Sequence, residues 1–397
     1  MLSQRARELA PSPTMAIDAR AKQLLAEGAD VVNFSVGEPD FDTPDTAKEG
    51  GIAAIRQGFT KYTPAAGTLE LRRAIAEKLR RENGLEYAPE QIVVSNGGKQ
   101  SLYNAFMVLL DPGDEVIIQA PYWVSYPEMV KLAGGVPVVV ETDARTGFKM
   151  TPDMIREKLT PRTKVINLNS PSNPTGVVYT PAELRAIAEL AVEKNLIIIS
   201  DEIYEKLLYD GAEFVSIASF GPDVKRLTVT VNGFSKAYAM TGWRMGYAAA
   251  EKPIAKAMAD LQSQTTSGPS SITQKAALAA LQGDQGPVEA MRQEFDRRRR
   301  YVVERLRSIP GFDLEVVPQG AFYVFPNVSA LFGRTIAGQR VENADDLGML
   351  LLEKAKVALV PGSGFGSPNH VRISYATSME RLKEGLDRIE RLLRESL

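Results

Sequence analysis

The segment Asn232–Gly246, NGFSKAYAMTGWRMG, sets one lysine, Lys236, among small residues, with Arg244 eight residues further on. It follows an apolar run, RLTVTV at 226–231, that reads as a buried strand. Lys236 is therefore expected in a loop at the carboxyl end of a parallel sheet strand, where open α/β sheets receive their ligands. Desolvation at such a place lowers the pKa of an amine and makes it a usable nucleophile. A lysine in isolation is ordinarily a solvated side chain; the setting is what singles this one out. A second segment, SNGGKQS at 95–101, joins a strand to a helix that should begin near Lys99. Free backbone N–H groups at a helix start hold a phosphate well; a plain strand-to-helix turn is the alternative. It is no nucleotide P-loop, because Val93 stands where the first glycine belongs and Gln100 replaces the hydroxyl residue that would hold magnesium. PGSGFGSP at 361–368 has three alternating glycines but leads to Pro368 and not to a helix, which rules out a dinucleotide fingerprint.

Composition narrows the chemistry further. The 397 residues contain no cysteine, which removes disulfides, thiolate metal sites and cysteine nucleophiles together. They contain one histidine, His370, so a zinc site with several histidine ligands is impossible and a Ser-His-Asp triad would have to use that residue. No metal is expected, and catalysis falls to Lys, Asp, Tyr or a cofactor. A net charge of -2, from 47 basic and 49 acidic residues, gives no global field to recruit nucleic acid or an anionic membrane. No stretch approaches about 20 uninterrupted apolar residues, and the N-terminal sequence lacks the apolar core of a signal peptide. The expectation is a cytoplasmic protein.

The elements that must position these groups follow from periodicity. Thr14 reads as the N-cap of a first helix carrying Ile17, Ala21, Leu24 and Leu25 and closed by Gly28, followed by a short strand over 31–36. From Thr43 onward, helical segments alternate with short β-rich runs at 91–95, 115–120, 136–140, 164–169, 196–200, 226–231 and 243–250. That alternation predicts an α/β fold with a mainly parallel sheet flanked by helices. After about Ser270 it stops, and a long charged helix is predicted from Pro287 to Ser308. Its FDRRRRYVVERLRSI has an apolar face at Tyr301, Val302, Leu306 and Ile309, so it reads as a solvated helix and not a nucleic-acid patch. Runs at 314–317, 321–328, 357–362 and 371–376, with helices at 344–356 and 378–393, predict a smaller α+β unit at the C-terminus. The expected division is 1–45 as an N-terminal segment joining the small domain, 46–295 as the large domain and 296–397 as the small domain.

With these motifs in view, the sequence resembles the class I pyridoxal-phosphate-dependent aminotransferases. Gly233–Gly246 is similar to their cofactor-attachment signature, and GEPDFDTP (37–44), KYTPAAG (61–67), GGKQ (97–100), PYWVSY (121–126), NSPSNPTG (169–176), SDEIYE (200–205) and VRISYAT (371–377) recur in the family's order. The resemblance spans essentially the whole chain and is nearest to the bacterial aspartate aminotransferase subgroup carrying GGKQ. It implies the fold type I of pyridoxal-phosphate transferases, with a large cofactor-binding domain and a small one, pyridoxal 5'-phosphate as cofactor, and a homodimer with active sites at the subunit interface.

The resemblance also implies roles. Lys236 would hold the cofactor as a Schiff base and act as general base in the proton shift. Asp201 would face the pyridine nitrogen, and Tyr204 and Asn173 the ring's phenolate oxygen. Gly98, Lys99 and Gln100 would cradle the phosphate with Ser235 and Arg244, and Tyr62 would reach in from the other subunit. Gly233 departs from the many relatives that carry a phosphate-binding hydroxyl there. Trp123 would stack on the cofactor ring. Arg372 would fork the substrate α-carboxylate beside Asn173, Trp123 and the backbone of Gly37, while Lys99 takes the side-chain carboxylate as a point charge. The implied reaction moves an amino group from L-aspartate to 2-oxoglutarate by a ping-pong route. Prephenate is the second acceptor to consider, since Thr14 and Lys99 are shared with relatives that use it although Ala10 stands where those have lysine; an aromatic or alanine aminotransferase of the same fold is the third reading.

Overall fold

The computed structural model describes residues 1–3, 6, 7, 9 and 13–396, without the side chains of 13–16 and 18. Seven strands form the central sheet: β1 (Ile92–Ser95), β2 (Glu115–Ala120), β3 (Val136–Glu141), β4 (Thr163–Asn169), β5 (Ile197–Asp201), β6 (Thr228–Gly233) and β7 (Gly246–Ala249). Their spatial order is β1-β7-β6-β5-β4-β2-β3. Every pairing is parallel except the two made by β7, which lies antiparallel between β1 and β6. Two reversals restore direction, so β1 runs the same way as β6. The carboxyl ends of β1, β4, β5 and β6 therefore share one edge of the sheet with the beginning of β7. β1, β2, β6 and β7 are buried along their whole length, which explains their near-continuous apolar sequence.

Helices cover both faces through separate apolar clusters. One joins β1 and β2 to helices Gly98–Leu109 and Lys252–Thr265; another packs β4 and β5 against helix Pro181–Lys194. The latter helix starts on a capping box, Thr180 with Glu183, and has Pro181 in its first turn. Beyond the central sheet, Val360–Pro361, Val371–Ser374 and Tyr323–Val324 make a three-stranded antiparallel sheet. Val32–Asn33 pairs in parallel with Val357–Ala358, and Val32 and Phe34 share a core cluster with Leu382, Leu386, Ile389 and Leu393 of the last helix, Met379–Ser396.

Several expectations need correction. The first helix spans Pro13–Ala26, so Thr14 lies within its first turn and does not precede it as a cap; the Thr14 side chain, like Ala10, lies outside the described residues. Residues 314–317 form no strand, and only an isolated bridge joins Asp313 to Asn327. The run at 321–328 shortens to two strand residues, and 226–227 end a helix before β6 begins. The long helix is Gly286–Leu306. Its basic run is only partly solvated: Arg298 and Arg299 are buried, the first paired with Asp40 at 2.7 Å and the second with Asp210 and Asp296 at 2.7 Å each.

Candidate active site

The shared sheet edge carries a cavity of about 420 Å³, a size typical of small-ligand sites. Asp201 ends β5, Asn173 follows β4, Gly98 and Lys99 follow β1, and Ser235 and Lys236 follow β6; all of them line it, with Arg244 just before β7. Gly37, Trp123, Tyr204 and Arg372 complete the expected residues that it brings together. Tyr62 and Gln100 do not line it. Tyr62 is fully exposed elsewhere, and Gln100 spends its N–H on Gly97 O (3.1 Å) and its side chain on Asn96 and Thr266.

Lys236 donates from Nζ to Gly37 O. Burial, with the Arg372 charge second, lowers its pKa to about 8, so roughly a tenth of the amine is a neutral nucleophile at pH 7, far more than for a solvated lysine. Asp201 is buried and receives the Tyr126 hydroxyl at 2.7 Å and the Ile203 N–H at 3.3 Å. Burial raises its pKa to about 6 against those two bonds, which leaves it mainly ionised at pH 7. Asn173 is held from below, its N–H on Asn169 Oδ1 at 2.9 Å, while its own Oδ1 accepts from Arg372 at 3.0 Å. The Arg372 guanidinium also donates to Ser35 O at 2.7 Å, and its buried Nε has no partner among the described residues. At the rim, Lys99 is exposed, with its ammonium 4.7 Å above the Trp123 ring. Partial desolvation and the Arg244 charge lower its pKa.

The helix start between β1 and β7 is built by glycine. Helix Gly98–Leu109 has no side-chain cap, and the N–H groups of Gly98 and Lys99 carry no hydrogen bond among the described residues. A Cβ at Gly246 would come within 2.3 Å of Gly98 N, so only glycine lets the strand meet the helix so closely. A Cβ at Gly97, where φ is +86°, would fall 2.5 Å from Arg244 Nη2, so that glycine admits the guanidinium beside the helix terminus. Gly233 is likewise enclosed: a Cβ there would lie 2.9 Å from Met245 O. This explains in packing terms why the chain has no hydroxyl at that position.

Each polar part of pyridoxal phosphate meets a matching group here. The uncapped helix start, Ser235 and Arg244 suit a phosphate; Lys236 suits an aldehyde; Asp201 suits a protonated ring nitrogen; and the buried phenol of Tyr204 suits the ring oxygen. Among the described residues no cluster of acidic or histidine side chains could hold a metal. Sequence reasoning missed Tyr126, Tyr323, Phe365, Glu38 and Thr241, all in or against the cavity. Tyr126, Glu38 and Thr241 were within reach, standing in segments already singled out; Tyr323 reads as part of a core strand and Phe365 as part of a glycine-rich loop.

The aminotransferase class I and II family model matches residues 29–389. An aspartate aminotransferase of Geobacillus stearothermophilus is 52% identical over 392 residues, covering 99% of this chain and 98% of the relative. A protein of Aquifex aeolicus named a probable aspartate/prephenate aminotransferase is 52% identical over 396 residues, with 99% of each chain covered. The crystal structure of the aspartate aminotransferase from Rhizobium meliloti superposes with a TM-score of 0.96 at 46% identity, again covering 99% of both chains. With a matched family model over nine-tenths of its length and relatives of this closeness, the chain belongs to the class I and II aminotransferases.

Proposed function

We propose that this chain is a pyridoxal-phosphate-dependent aspartate aminotransferase, which moves the amino group of L-aspartate to 2-oxoglutarate to give oxaloacetate and L-glutamate. The observation that carries the reading is the convergence of Lys236, Asp201 and Arg372 on one cavity with Lys99 at its rim. Bound there, pyridoxal phosphate supplies an electron sink for the carbon that bears the substrate amine. Lys236 Nζ would hold the cofactor and would take and return the proton of the substrate α-carbon. Asp201 keeps the ring nitrogen protonated, and Tyr204 and Asn173 donate to the ring oxygen. Trp123 covers the ring face. The N–H groups of Gly98 and Lys99 hold the phosphate with Ser235 and Arg244. Arg372 forks the α-carboxylate, and Lys99 leaves the Trp123 ring for the distal carboxylate.

Full exposure of Tyr62 supports a homodimer in which that residue serves the neighbouring subunit's phosphate. Pairing of Val32–Asn33 with Val357–Ala358 supports assigning 1–45 with 296–397 to a small domain and 46–295 to the large one. The name of the Aquifex relative supports prephenate as an alternative acceptor at the same site. The test is the visible spectrum of the loaded protein during titration with L-aspartate, L-glutamate, L-phenylalanine and L-alanine without an acceptor. Bleaching by the two acidic donors at the lowest concentrations is expected; earlier bleaching by phenylalanine or alanine would refute the dicarboxylate assignment.

A further inference from the structure

The hydroxyls of Tyr204 and Tyr323 lie 2.8 Å apart, and both side chains are buried and line the cavity. Their rings meet edge to face, with centroids 5.9 Å apart. The Tyr323 ring also lies 4.5 Å under the Arg372 guanidinium. Its hydroxyl abuts Gly37, where an added Cβ would come within 3.0 Å of that oxygen. One side chain thus touches the arginine, the segment that receives Lys236 Nζ, and the phenol that stands 5.7 Å from that same amine, measured to its ring centroid.

A phenol has one proton to give and an oxygen that accepts. Neither hydroxyl has another hydrogen-bond partner among the described residues, so the direction of this one bond decides what Tyr204 can do. If Tyr204 donated to Tyr323, its proton would be spent. If Tyr323 donates, the Tyr204 proton remains for a ligand in the cavity, and the two bonds in series strengthen each other. The Arg372 cation over the Tyr323 ring favours the second arrangement, because it stabilises negative charge building on the Tyr323 oxygen. The other charged or titratable groups lining the same cavity are Asp201 at the end of β5, Tyr126 that donates to it, Lys236 and Arg244 in the segment between β6 and β7, Glu38 beside Gly37, and Lys99 at the rim.

Resting on the aminotransferase reading, we propose that Tyr323 is a positioning residue: its hydroxyl donates to Tyr204 and turns the Tyr204 proton toward the cofactor's ring oxygen, while its ring seats the Arg372 guanidinium.

Tyr323→Phe tests this, since it keeps the ring and removes only the hydroxyl. The apoprotein should bind pyridoxal phosphate about tenfold more weakly, as expected for one lost buried hydrogen bond. The pH midpoint of the visible absorption of the loaded variant should move upward, because the ring oxygen is less well stabilised. The kcat for aspartate should fall severalfold with KM little changed, because the ring still seats Arg372. In a Tyr204→Phe background, the added Tyr323→Phe change should cost nothing more. Wild-type cofactor affinity together with an unmoved midpoint would overturn the proposal, and so would losses in the double variant equal to the sum of the single ones. An apoprotein of Tyr323→Phe that shows no cooperative unfolding would assign the hydroxyl to the core alone and overturn it as well. If the wild-type apoprotein gains no visible absorption with pyridoxal phosphate, the underlying reading falls, and this proposal with it.

Discussion

At the floor of the cavity Asp201, Asn173 and Arg372 are buried, and each is held by a hydrogen bond from another element. At the rim Lys99, Arg244 and Glu38 are exposed. Lys99 rests there on an aromatic face, with no carboxylate partner among the described residues. Charges at the floor act in a low dielectric and cannot move without breaking those bonds; charges at the rim are screened and can turn to meet a ligand. The floor is thus suited to chemistry common to every substrate, and the rim to telling substrates apart.

This contrast can be broken or sharpened by substitution. Lys236→Ala should abolish the visible absorption of the reconstituted protein and lower turnover by about 10⁴-fold or more, since both a nucleophile and a proton carrier are lost; ordinary turnover in steady-state assays would sink the assignment. Arg372→Ala should raise KM about 100-fold for acidic, aromatic and small donors alike, the cost of two charge-assisted hydrogen bonds at the floor. Selective damage to one donor class would erase the distinction drawn above. Lys99→Ala should raise KM for aspartate about tenfold and leave phenylalanine and alanine unchanged; equal effects on all donors would remove the rim from recognition.

The smallest effect concerns pH. The neutral amine is the nucleophile, and a folded-state pKa of about 8 means that Lys236 loses its proton as pH rises through that value. Uptake of pyridoxal phosphate by the apoprotein, followed by stopped flow, should therefore accelerate up to about pH 8 and then level off. A rate still climbing toward pH 10 would mean an ordinary solvated lysine.

Much of the floor was legible in sequence because its residues sit within strands whose apolar runs are plain or no more than four positions beyond them. Asp201 ends β5, and Lys236 follows β6 by three residues. What was not legible depends on direction or distance. The apolar run of β7 carries no sign of its antiparallel orientation, which only its neighbours settle. Arg298 looks solvated within a run of four arginines because its partner, Asp40, lies 258 positions away. Tyr323 sits in an apolar stretch that looks like core, and the fold alone reveals that its hydroxyl meets Tyr204. Residues 314–317 alternate as a strand would, yet they find no partner strand and stay irregular.

The close approach of Gly246 to Gly98 bears on how the site can evolve. Residue 99 offers two things at once, a main-chain N–H at the helix start and a side chain over Trp123. The first is supplied by any amino acid but proline, so long as Gly246 keeps strand and helix together. On the proposed assignment of Lys99, substrate preference can therefore drift through the side chain at 99 while the anchoring of the cofactor is inherited intact, and the lineage can change what it recognises without relearning how to hold its reagent.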